Sequence, residues 1–170
     1  MAMRNDTIKR TARVAVLTAL ALALSYMERF IPLNLLVPLP GVKLGLANVV
    51  TLFALYALGF KEAIIIVFAR CALGGLFTGS ATALIMSVSG GCLSCAVMAL
   101  AMRFFSVYGV SVLGAAAFNI AQVTVAALML GSVYAYYYLP FLLLTAIAAG
   151  LLTGAAASGA LRILYKTSTA

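Results

Sequence analysis

Six apolar stretches, each close to the length a helix needs to cross a lipid bilayer, follow one another through this chain with short breaks between them. A bilayer core is ~30 Å thick and takes ~20 mostly apolar residues of helix. The composition agrees: 66% of the 170 residues are hydrophobic and 8% charged, too little polar surface for a soluble domain of this size. No polar block is large enough for a second, soluble domain. The expected fold is a single all-α membrane domain over residues 1–170, a bundle of six transmembrane helices.

The helices are expected at about 12–31, 44–60, 63–78, 81–102, 110–133 and 139–164. Pro32 stops the first, and a loop with Pro38, Pro40 and Gly41 follows. Lys61–Glu62 and Gly79–Ser80 make short turns, and Gly90 and Gly91 are candidates for a bend in helix 4. Tyr134 to Tyr138 form an aromatic corner suited to a membrane interface. The first apolar run is longer than a signal-peptide core and has no clear cleavage site before Glu28 and Arg29, so it reads as a retained helix.

Charge then gives the orientation. The net charge is +8, from 11 basic and 3 acidic residues. With six helices, Arg4, Lys9, Arg10, Arg13, Lys61, Arg103, Arg162 and Lys166 all fall on one side, and only Arg29 and Lys43 on the other. The excess of Lys and Arg marks the cytoplasmic side, so both termini are expected there. No basic patch is interleaved with exposed aromatics, so the charge does not suggest a nucleic-acid partner.

One basic residue lies inside a helix. Arg70 is near the middle of helix 3, where a charge costs ~2.5–3.5 kcal/mol on insertion scales. The available acids are Asp6 in the tail, Glu62 about 12 Å back along the helix, and Glu28 near the outer end of helix 1. Arg70 is therefore expected to meet an anionic group on a ligand. The alternative is a structural arginine bonded to helix carbonyls, or snorkelling toward water.

Depth arithmetic gives Arg70 company. At 1.5 Å per residue from the outer boundary, Asn48 and Thr51 lie ~6–11 Å deep, Ser87 and Ser89 ~9–12 Å, and Asn119 and Gln122 ~16–21 Å. Asn119 and Gln122 are three apart and share a helix face. Such a polar layer fits a pocket opening outward, although interhelical bonding worth ~1 kcal/mol per contact would also use it. The apolar loop 32–43 could cover such a pocket as a lid or lie in the interface. Lys43, near the start of helix 2, adds positive charge beside helix N-terminal amides, and that combination favours an anion. The expected ligand-binding set is Lys43, Asn48, Thr51, Arg70, Ser87, Asn119 and Gln122.

Two stripes of small residues stand out. Ala15, Ala19 and Ala23 are spaced by four on helix 1; Ala146, Gly150, Gly154 and Ser158 form a second stripe on helix 6. Stripes of this kind let another helix approach closely, in the bundle's own packing or in a partner.

Catalysis has no foothold. The chain has no His, so no Ser-His-Asp or Cys-His arrangement is open to it. Three scattered acids cannot pair for acid–base work or hold Mg²⁺, and no phosphate loop is present. Cys92 and Cys95 have CxxC spacing but lie with Cys71 in apolar surroundings and read as small buried residues. No metal, cofactor or enzymatic activity is expected.

The stretch 40–59, PGVKLGLANVVTLFALYALG, resembles the hallmark of a bacterial membrane family labelled heptaprenyl diphosphate synthase component I, or Gx transporter. The segments from Arg70 to Gly79, Ser87 to Gly91 and Gly109 to Gly114, leading to Asn119 and Gln122, extend the likeness over nearly the whole chain. The wider pattern is similar to the substrate-binding S components of energy-coupling-factor transporters. That likeness implies six helices, an outer pocket with a lid from the first loop, and an alanine stripe, matched by Ala15, Ala19 and Ala23, that meets a transmembrane T subunit. Separate ATPase subunits would hydrolyse ATP, and the S component would topple to release its ligand inward. The synthase label implies instead a non-catalytic membrane partner of a separate prenyl diphosphate synthase. The leading expectation is a substrate-binding transport subunit for a small anionic, partly apolar ligand.

Overall fold

A computed structural model describes residues 2–30, 43 and 45–168. It is all-α, with six α-helices and no strand among the described residues. They are α1 (Ala2–Met27), α2 (Asn48–Ala57), α3 (Phe60–Thr78), α4 (Ala81–Ala101), α5 (Val107–Leu130) and α6 (Leu139–Ser168). A short 3-10 turn, Glu28–Phe30, closes α1, and another, Val133–Tyr138, leads into α6.

Local chemistry explains the boundaries. The Ser80 hydroxyl accepts from the Ala83 N–H at the start of α4, and Ser106 accepts from Gly109 at the start of α5. The helices α3 and α5 end at Gly79 and Gly131, both left-handed at φ 62° and 60°. A Cβ at either glycine would meet nothing within 4 Å, so conformation and not crowding is what requires glycine there.

Five helices differ from the hydropathy reading. The first starts at Ala2, not near residue 12, because the helix runs on through polar residues that an apolar window does not register. The second is shorter than 44–60: Gly45 takes φ 82°, a turn follows, and helix begins only at Asn48. Ten residues of helix reach ~15 Å, half of a bilayer core. The fifth is shifted from 110–133 to Val107–Leu130 because Ser106 caps it early and Gly131 stops it. The third begins slightly earlier than expected and the sixth extends slightly further. The loop read above as a lid lies outside the described residues, apart from Lys43.

The short α2 sits in the middle and touches each of the five other helices. Around it α1 packs on α3, α3 on α4, α4 on α5 and α5 on α6. Among the described residues α1 and α6 do not pack on each other. Gly150 and Gly154 let α6 approach α5: a Cβ at Gly150 would lie 2.6 Å from the Val112 Cα. Beside them the Ser111 and Thr153 hydroxyls share a buried hydrogen bond of 2.7 Å. The helix-6 stripe is thus used within the bundle. An ion pair between Arg10 and Glu62 ties the early part of α1 to the start of α3.

The outside of the bundle is apolar and part of its inside is polar. Leu76 is 79% exposed and Leu128 78%, while Arg70 is 5% exposed and Glu28 4%. Three segments, Ala81–Ala101, Val107–Leu130 and Val133–Lys166, are long and apolar enough to cross a membrane. The fold is compatible with an all-α membrane bundle.

Candidate functional site

A cavity of about 590 Å³ lies between α1, α3 and α4. From α1 it takes Ala19, Leu22, Ala23 and Tyr26, at the i, i+3, i+4, i+7 spacing of one helix face, together with Ser25. From α3 it takes Arg70, Cys71, Gly74 and Phe77, again one face. Ser87 of α4 and Lys43 complete the wall.

Lys43 links α4 to α5. Its backbone N–H donates to the Gln122 side-chain oxygen at 3.2 Å, and its ammonium donates to the Ser87 hydroxyl at 2.8 Å. Glu28, folded back by the 3-10 turn, accepts from the Gly45 N–H at 2.5 Å. Its carboxyl lies within electrostatic reach of both Lys43 and Arg70. The turn after α1 and the unusual backbone at Gly45 therefore bring these three charged groups together, although they are far apart in sequence.

Arg70 is poorly satisfied by the protein. One terminal nitrogen donates to the Ser25 hydroxyl over a long 3.4 Å. The Nε and Nη2 atoms have no hydrogen-bond partner among the described residues. Glu62 is engaged by Arg10, and Arg70 forms no contact ion pair among the described residues. A buried donor left unmade costs ~1–3 kcal/mol, more when charged. The Nε and Nη2 atoms share one edge of the guanidinium, the fork that matches the two oxygens of a carboxylate or phosphate. Room for it comes from α4, where a Cβ at Gly91 would lie 3.1 Å from Nη2 and 2.8 Å from Val67. The α4 helix runs unbroken through Gly90 and Gly91, which seat Phe118 and the Val67–Arg70 pair.

Lys43, Arg70 and Ser87 thus line one cavity. Gln122 joins them from behind through Lys43. Asn48, Thr51 and Asn119 are buried in the bundle and are not on the cavity wall. Asn119 donates to the Leu142 carbonyl at 2.6 Å. The Asn48 side chain, the Thr51 hydroxyl and the Asn119 side-chain oxygen have no hydrogen-bond partner among the described residues. Ser25, Tyr26 and Phe77 belong to the wall and were not among the expected residues; the seven-residue spacings Ala19 to Tyr26 and Arg70 to Phe77 carried that signal. Cys71 also lines the cavity, and its thiol donates to the Ser87 carbonyl at 3.2 Å. The alanine stripe is exposed at Ala15, Ala19 and Ala23, and the last two also border the cavity.

Two basic residues, Lys43 and Arg70, line this cavity, and the one carboxyl within their electrostatic reach, Glu28, lies off its wall, so the positive charge is in excess whichever protonation state Glu28 takes. The fold and cavity define a helical, membrane-compatible bundle with a partly open cavity lined by two basic residues. A family model described as heptaprenyl diphosphate synthase component I matches residues 17–160, and the chain belongs to that family. The match covers every residue of the cavity wall. No curated protein and no solved structure matches the chain.

Proposed function

We propose that this chain is the membrane substrate-binding subunit of an energy-coupling-factor-like transporter for a small anionic, partly apolar ligand. Arg70 carries the reading. A buried guanidinium whose fork has no partner among the described residues, at the wall of a cavity with excess positive charge, suits an anion that arrives from outside the protein. A rotation about its side-chain bonds would turn that fork into the cavity. Leu22, Tyr26 and Phe77 offer apolar surface for the rest of the ligand. The chain itself performs no catalysis in this reading.

The proposed setting is the cell membrane, with both ends cytoplasmic. The Arg10–Glu62 pair brings two of the basic regions to the same end of the bundle, as that orientation requires. The proposed partners are a transmembrane T subunit and ATPase subunits. The family description favours a second reading: a component I implies a separate synthase subunit, for which this chain would be the non-catalytic membrane partner. Copurification decides between them. T and ATPase subunits retained on the tagged chain support transport; a soluble prenyl diphosphate synthase retained instead overturns it.

The stripe can be tested cleanly only at its first member. Ala15→Leu is expected to weaken capture of the T subunit about tenfold and leave ligand affinity unchanged. Ala19→Leu would also intrude on the cavity and confuse the two effects. Unaltered capture by the Ala15 variant removes the stripe from the interface. Gly91→Ala is expected to push the guanidinium aside and lower ligand affinity about tenfold, or ~1.4 kcal/mol. Calorimetry with the copurifying ligand measures this, and an unchanged affinity would detach Gly91 from the site.

A further inference from the structure

A second hollow lies at the other end of the bundle, where α1 and α6 leave a gap with α2 as its floor. This groove of about 390 Å³ is lined by Ala12, Arg13, Val16, Phe53, Ala57 and Leu164, among others. Apart from Arg13 these residues are apolar. Lys9 lies one helical turn before Arg13 on the same face of α1 and is exposed. The two carboxylates with described side chains are elsewhere: Glu62 is paired with Arg10 and Glu28 with Gly45. The groove is an apolar slot with a positive mouth.

We infer that this groove binds one acyl chain of an anionic phospholipid, with Arg13 and Lys9 at its headgroup phosphate. The inference rests on the membrane setting proposed above but not on the Arg70 cavity. An acyl chain is a single file of methylenes and needs no polar partner along an apolar slot. Charge selects the lipid: the arginine stem lines the slot while its guanidinium reaches the interface, where it matches a phosphate in two-pronged fashion. Basic pockets between membrane helices on the cytoplasmic side are suited to anionic headgroups.

The test uses the full chain reconstituted in nanodiscs of equimolar phosphatidylglycerol and phosphatidylcholine. After release into mild detergent, native mass spectrometry counts the retained lipids. The wild type is expected to keep one phosphatidylglycerol in preference to phosphatidylcholine by about fivefold. Ala57→Phe, which fills the slot, is expected to lose the retained lipid. Arg13→Gln, at an exposed side chain, is expected to keep a lipid but lose the headgroup preference, which leaves the inference testable even if the Ala57 variant does not fold. Equal retention of both lipids by the wild type overturns the inference, as does a preference unchanged in Arg13→Gln. Ligand affinity at the Arg70 cavity is a separate measurement, so failure here leaves that site standing.

Discussion

Arg70→Ala is expected to lower ligand affinity at least ~100-fold while the protein remains as stable as the wild type, or becomes more so. The two halves share a cause. Each hydrogen bond from a charged donor is worth ~1.5–3 kcal/mol, so losing both prongs of the fork removes ~3–6 kcal/mol of binding, where ~1.4 kcal/mol is tenfold. Within the bundle those same nitrogens have no hydrogen-bond partner among the described residues, so alanine relieves a desolvation cost. An arginine that mainly held the helices together would behave in the opposite way. Native mass spectrometry of the gently purified wild type identifies the copurifying molecule, and calorimetry with that compound compares the two proteins. Affinity within threefold of wild type would sink the anion site. A variant that unfolds would make Arg70 structural.

The largest effect on stability is expected at the α5–α6 seam. Gly150→Leu places a side chain where even a Cβ would come within 2.6 Å of the Val112 Cα and 3.0 Å of its backbone nitrogen. Backbone cannot rotate aside as a side chain can. The helices would have to separate, which also stretches the buried Ser111–Thr153 hydrogen bond. Overpacking of this kind typically costs ~1–3 kcal/mol. Thermal unfolding in detergent, followed by circular dichroism, is expected to show the midpoint fall by about 5–10 °C. Gly159→Leu on the same helix is the control, since a Cβ there would meet nothing within 4 Å. Equal midpoints for the two variants would contradict the close approach of α5 and α6.

Much of the architecture was legible because its signals are one-dimensional. Apolar length gave the number of helices, and Gly79–Ser80 gave the α3–α4 turn. What hydropathy could not give is where helix stops within an apolar run. Gly45 and Gly59 flank α2, both with positive φ, and they shorten a stretch that looked long enough to span. Depth along a helix was readable in the same way, and Arg70 and Ser87, read at similar depths, line one cavity. Direction around the helix was not. The helices are apolar on nearly every face, so nothing in Asn48, Thr51 or Asn119 told which way it pointed, and all three turn into the bundle. The approach of Glu28 to Lys43 and Arg70 depends on a 3-10 turn and on a backbone amide at Gly45, neither of which leaves a mark in residue spacing.

The brevity of α2 has a consequence for biogenesis. A rod of ten residues, ~15 Å long, cannot insert across a bilayer as an independent segment, since that takes ~20. It touches all five of the other helices, so its final seat does not exist until they have gathered. During synthesis this piece emerges second, yet it must be among the last to settle, filling the hub of a wheel whose rim is already built.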